Sequence, residues 1–193
     1  DGDALKFARK ELKGDREIVF AAVKSKGWLQ GDALECADDE LKRDRDVVLA
    51  AVTKNGWALK YAHEELKRDG DIVLVAVANS AGWALKYAHE ELKRNRKIVL
   101  AAVRSAGWAL KYAHTELQSD REIVLAAVTE NGDALEFVDD ELARDLEIVL
   151  AAVGNNGMAL AYAHEELRRN ELVVAAAVAQ DPEASRYSLS RIK

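Results

Sequence analysis

The sequence predicts an all-α fold: an α-solenoid, or superhelical array, of about seven helix-turn-helix repeats closed by a degenerate C-terminal capping helix. Three observations carry this. The block GWALKYAHEELKRDGDIVLVAV (56–77) returns as GWALKYAHEELKRNRKIVLAAV (82–103) and GWALKYAHTELQSDREIVLAAV (107–128), a period of about twenty-five residues. Each block joins an amphipathic segment to an apolar one. A unit that small cannot shield an apolar helix alone, so it must stack on the copies before and after it.

The template begins near Gly2, Gly31, Gly56, Gly82, Gly107, Gly132 and Gly157, and residues 1–193 read as a single repeat array. Two spacings deviate. An extra turn residue lies between Val77 and Gly82, and Gly27-Trp28-Leu29-Gln30 precedes Gly31 as a stuttered copy, roughly one helical turn that lengthens the helix beginning near Trp28. Within a repeat, Ala58, Leu59, Ala62 and Leu66 fall on one arc of about 100° with Lys60, Glu64 and Lys67 opposite, which predicts a continuous amphipathic helix over 58–67. Lys67 and Arg68 suit that helix's C-terminus, and Asp69 is placed to cap the next. Every copy has Asp or Asn in the capping column: Asp15, Asp44, Asp69, Asn95, Asp120, Asp145 and Asn170. The following segment, such as Ile98–Val103, is apolar all round and reads as a short buried helix ended by the next glycine. The tail enters a capping helix over 182–192 through Asp181 and Pro182.

Twenty-eight basic and thirty-four acidic residues give a net charge of −6, which does not favour gathering phosphate backbones. No apolar run approaches the length needed to span a membrane. The start, Asp1-Gly2-Asp3, lies inside a repeat without methionine or a signal-like segment, as expected of a processed, trimmed or excised chain. The lone Cys36 occupies a column filled elsewhere by Tyr or Phe and reads as a small residue in a partly buried slot.

The template G-x-A-L-x-Y-A-x-x-x-L-x-x-D-x-x-I-V-L-A-A-V resembles a tandem helix-pair repeat family of unknown function seen in algal, protist and bacterial proteins. The resemblance runs from Gly2 to about Val178. It implies the fold and supplies no catalytic residue. Repeats one, two and six depart from it with Asp3, Asp32 and Asp133 after the glycine, read as additional caps.

Three columns are candidates for function. Trp57, Trp83 and Trp108 each stand four residues before Tyr61, Tyr87 and Tyr112, a spacing that brings side chains together on one helix flank. They form either an aromatic ladder for a partner or packing between repeats; Trp28, in the inserted turn, is the candidate exposed anchor. His63, His89, His114 and His164 share a column with Asp38 and Asp139; one per repeat is too sparse for a shared metal, and hydrogen bonding or packing is the expected role. The basic turns Lys42-Arg43, Lys67-Arg68, Lys93-Arg94 and Arg168-Arg169 line one edge, either as helix-end charge or as an electropositive stripe. With no nucleophile–base pair, phosphate loop or metal spacing, no enzyme activity, metal or cofactor is expected. The reading is a non-catalytic protein-interaction scaffold with a protein or peptide partner, either an adaptor or a subunit of a larger complex. The alternative is a modular nucleic-acid-binding repeat protein using its basic edge, which the net charge disfavours.

Overall fold

The structure, a computed structural model, describes residues 2–25 and 32–189. Among them every regular element is helical. The chain is an α-solenoid-type repeat array that divides into two compact units, residues 1–101 and 102–193. The inserted turn around Trp28, with the helix lengthening expected there, lies outside the described residues.

Each repeat contributes to two rows. One row is α-helical: Arg16–Lys24, Arg45–Lys54 and Gly70–Ala78 in the first unit, and Arg121–Glu130, Leu146–Asn155 and Glu171–Gln180 in the second. The other row is mostly 3-10 helix: Gly56–Tyr61 packs on Trp83–Tyr87 in the first unit, and Gly107–Tyr112, Gly132–Phe137, Gly157–Tyr162 and Pro182–Tyr187 pack in succession in the second. Between the rows Ala58 and Leu59 meet Ile72, Val73, Ala76 and Val77, all fully buried. Apolar burial of this kind, repeated at every copy, holds the stack together.

The capping column behaves as its residue types demand. Asp15, Asp44, Asp69, Asn95, Asp120, Asp145 and Asn170 each use Oδ1 to accept the backbone N–H groups two and three residues on, at 2.9–3.3 Å. Those are two of the donors that a helix N-terminus leaves unsatisfied.

The first half of the repeat departs from the expected continuous helix. A 3-10 helix runs Gly56–Tyr61, the backbone turns extended at Ala62 (φ −65°, ψ 150°), and a second short helical piece, Leu66–Arg68, follows. The break frees the His63 N–H from its own repeat, and it donates to the Lys42 carbonyl of the preceding one at 3.0 Å. The same backbone bond recurs as Asp38 to Lys13 (3.0 Å), His89 to Lys67 (3.0 Å), Asp139 to Gln118 (3.4 Å), His164 to Ala143 (3.1 Å) and Leu189 to Arg168 (2.9 Å). A straight helix would have turned this donor inward; the break spends it between repeats.

The repeat glycine is not the left-handed helix stop that the sequence suggested. Among the described residues only Gly82 of the glycines has positive φ (77°), next to Ala81 at 48°, where the extra turn residue is absorbed. Gly56, Gly107, Gly132 and Gly157 are demanded by a close approach. A Cβ on Gly56 would lie 1.9 Å from the Ala76 carbonyl oxygen, and one on Gly107, Gly132 or Gly157 would lie 2.1–2.4 Å from the matching carbonyl. Asn55, Asn131, Asn156 and Asp181 then cap the 3-10 helices that begin there. Asp133 is not a cap: it accepts from Asn156 Nδ2 of the next repeat at 2.8 Å. The closing element entered through Asp181 and Pro182 is a 3-10 helix that ends at Tyr187.

Candidate interaction surface

The 3-10 row carries the aromatic residues on its outer side. Gly56, Leu59 and Ala62 are buried, and Trp57 stands on the outer side. There its ring stacks on Trp83 of the next repeat, with centroids 5.2 Å apart and planes 27° from parallel. Trp57 also meets Tyr87 at 6.4 Å, tilted by 58°. The intra-repeat contact expected from the spacing of four is seen in the second unit, where Trp108 meets Tyr112 edge-on at 6.0 Å. Trp57 and Trp83 keep 40% and 36% of their surface exposed, while Tyr61, Tyr87, Trp108 and Tyr112 are half-buried. At Trp57 and Trp83 the rings pack between repeats and still present apolar surface outward. Lys60 lies over the Tyr61 ring at 5.0 Å and Lys86 over Tyr87 at 5.7 Å, adding positive charge beside this surface. Trp28 falls outside the described residues.

The histidine column is a second set of helix caps. His63, His89, His114 and His164 each accept the N–H two residues on through Nδ1, at 3.3 Å, and Asp139 does so at 2.9 Å. The exchange of His for Asp in this column was the sequence signal of a cap, and hence of a helix start in mid-segment. Among the described residues no group of three or more His, Cys, Asp or Glu could hold a metal ion.

Four cations of the basic turns pair with carboxylates of their own repeats. Lys42 pairs with Asp39 at 3.1 Å, Lys67 with Glu64 and Lys93 with Glu90 at 2.7 Å, and Arg169 with Glu165 at 3.3 Å. Arg68 meets Nε2 of His89 at 2.9 Å, and Arg168 donates to the Tyr187 carbonyl at 2.9 Å.

A further surface escaped the sequence reading. The apolar helix is not hidden on all sides: Ile72, Val73, Ala76 and Val77 face the core, whereas Leu74 and Val75 are half-exposed, as are Leu49 with Ala50 and Leu125 with Ala126. Between the helices Arg16–Lys24 and Arg45–Lys54 this strip lines a groove of about 440 Å³, bordered by Phe20, Leu49, Ala50 and Lys54. Lys24 Nζ stands 4.0 Å from the Phe20 ring. The run is apolar at every position, so nothing in the sequence marks which of its residues face outward.

With that geometry in view, the comparisons are informative about family. Residues 1–42, 29–67, 44–93, 69–118, 95–143 and 145–193 match the profile of a domain of unknown function, DUF4116. The chain belongs to this family. Four of the matches begin at a capping residue, Asp44, Asp69, Asn95 or Asp145, so a DUF4116 match opens on the α-helical row. No curated protein and no solved structure matches the chain. Among the described residues no helix is long and apolar enough to cross a membrane.

Proposed function

We propose that this DUF4116 array is a non-catalytic interaction scaffold that takes a protein or peptide segment on the aromatic ledge of Trp57, Trp83 and Tyr87. The observation that carries the reading is the Trp57–Trp83 stack: two large rings fixed by each other, each with more than a third of its surface open. Rigid aromatic area loses little conformational freedom on binding and is enriched among interface hot spots. The non-catalytic reading is supported by how the shifted carboxylates are used. Asp44, Asp69 and Asp145 are held below the usual carboxylate range as arginine-paired helix caps, not as acids or bases in a dry pocket. The nucleic-acid alternative is opposed by the carboxylates that already occupy the lysines of the basic turns.

The test is selection of a displayed random peptide library against the wild-type chain and against Trp57→Ala and Trp83→Ala variants whose thermal midpoints stay within a few degrees of wild type. Enriched peptides should quench tryptophan fluorescence and lose about tenfold or more in affinity in either variant. If no peptide is enriched, or enriched peptides bind the variants equally well, the ledge is packing alone. Binding to single-stranded nucleic acid that falls steeply between low and high salt would favour the alternative.

A further inference from the structure

The junctions between repeats obey a charge rule. Arg16 reaches across to the next repeat's cap, with Nε 2.6 Å from Asp44 Oδ2 and a second nitrogen 2.9 Å from Asp46. Arg45 does the same to Asp69 at 2.9 Å and Asp71 at 3.6 Å, and Arg121 to Asp145 at 3.0 Å and to Glu147. The two cap oxygens divide the work: Oδ1 accepts the helix N–H groups and Oδ2 accepts the arginine Nε, with one longer bond of 3.4 Å from Arg16 to Asp44 Oδ1 besides. An amide can do the first task but not the second. The sequence follows this throughout. One repeat after Arg16, Arg45, Arg96 and Arg121 stand Asp44 and Asp46, Asp69 and Asp71, Asp120 and Glu122, and Asp145 and Glu147; one repeat after Gly70 and Leu146 stand Asn95 and Lys97, and Asn170 and Leu172. An acidic cap thus marks an arginine in the repeat before it.

Repeat one carries the acidic form, Asp15 and Glu17, and among the described residues no arginine meets them. Asp15 uses Oδ1 on the helix, as its counterparts do, and the residue is exposed. The apolar side of the same face is equally incomplete. Ile18 is 39% exposed where its counterparts Val47 and Ile72 are fully buried, and Phe7 is 86% exposed. Phe7, Leu12, Ile18 and Ala22 line a groove of about 500 Å³.

We infer that this end face is half of a repeat junction, whose occupant is a further helix-pair repeat of the same family with arginine directly after its capping residue. The last repeat of a second copy does not fit, because it has Glu171 in the arginine column and would set a carboxylate against Asp15 and Glu17.

The test extends the full chain at its N-terminus by a copy of residues 107–130, so that Asp1 takes the place of Asn131 and Gly2 that of Gly132. One form keeps the copied arginine and the other carries Arg121→Glu in the copy. Both are made again on Asp15→Asn/Glu17→Gln, which preserves the cap. Hydrogen exchange at the amides of Val19 and Val23 reads the local opening of repeat one. Both extensions should slow exchange, the arginine form about two- to five-fold more than the glutamate form, and that difference should vanish in the Asn/Gln background. No slowing with the arginine form, equal slowing by the two forms, or a difference that survives in the Asn/Gln background would overturn the inference.

Discussion

At the join of repeats six and seven, two glycines three residues apart have opposite surroundings. Gly154, in the helix Leu146–Asn155, has nothing within 4 Å of where a Cβ would stand; Gly157, opening the next 3-10 helix, would drive its Cβ to 2.4 Å from the Ala177 carbonyl oxygen. The contrast separates the two rows. Along the α-helical row side chains set the packing, and part of each helix looks outward. Where the 3-10 row begins, backbone meets backbone, and a single methyl group is too much.

The sharpest way to break that comparison is Gly56→Ala, where the approach is 1.9 Å. It should cost about 3 kcal/mol in chemical denaturation, with Gly157→Ala close behind, because the obstructing atom is a backbone carbonyl that cannot swing aside. A loss below about 0.5 kcal/mol would mean that the rows are not so closely seated.

Next in size is the cap. Asp69→Ala should lose about 1–2 kcal/mol, since two N–H groups go unsatisfied. Asp69→Asn keeps Oδ1 and forfeits only the exposed Arg45 bridge, and should lose less than about 1 kcal/mol. Equal losses would show that Arg45, not the cap, is the important partner.

Acid should act on the same column unevenly. The Arg16 hydrogen bond, with help from backbone amides, lowers the pKa of Asp44, and Arg121 does the same for Asp145; at Asp69 partial burial works the other way but is outweighed by Arg45 and the amides. A carboxylate whose folded pKa lies below its unfolded value contributes stability that is complete above about 3.8 and is lost as pH falls through the folded value. Hydrogen exchange below pH 4 should therefore rise first in the repeats capped by these aspartates. The repeats capped by Asn95 and Asn170 have no such dependence at that position.

The smallest expected effect has the opposite sign. Gly154→Ala should raise stability by about 0.5–1 kcal/mol, through helix propensity and the entropy of the unfolded chain, and should appear as a higher urea midpoint. A decrease would mean that the outer face of this helix is more crowded than its surroundings indicate.

These contrasts also explain what the sequence disclosed. The period, the helical class, the seven caps and the core positions Ile72, Val73, Ala76 and Val77 were legible, because each is a local rule repeated in register. The break at Ala62 was not. Ala58, Leu59 and Ala62 satisfy a period of 3.6 and one of 3.0 equally well over six residues, and the deciding clue was the exchange of His63, His89 and His164 for Asp38 and Asp139 in a neighbouring column. Trp57 and Trp83 were identified as members of one aromatic column, but their stacking on each other across repeats depends on how the copies are set side by side. The half-exposed Leu74 and Val75 were assigned to the core because an all-apolar helix shows no outer side.

The arrangement rests on the extended step at Ala62 and His63, which hands a backbone donor from one repeat to the one before. The most direct measurement is the scalar coupling transmitted through hydrogen bonds in the nuclear magnetic resonance spectrum of the labelled full chain. A coupling between the His63 amide nitrogen and the Lys42 carbonyl carbon is expected, with its counterpart between His89 and Lys67. A coupling from His63 to the Leu59 carbonyl instead would mean an unbroken helix, and would contradict the two-row architecture.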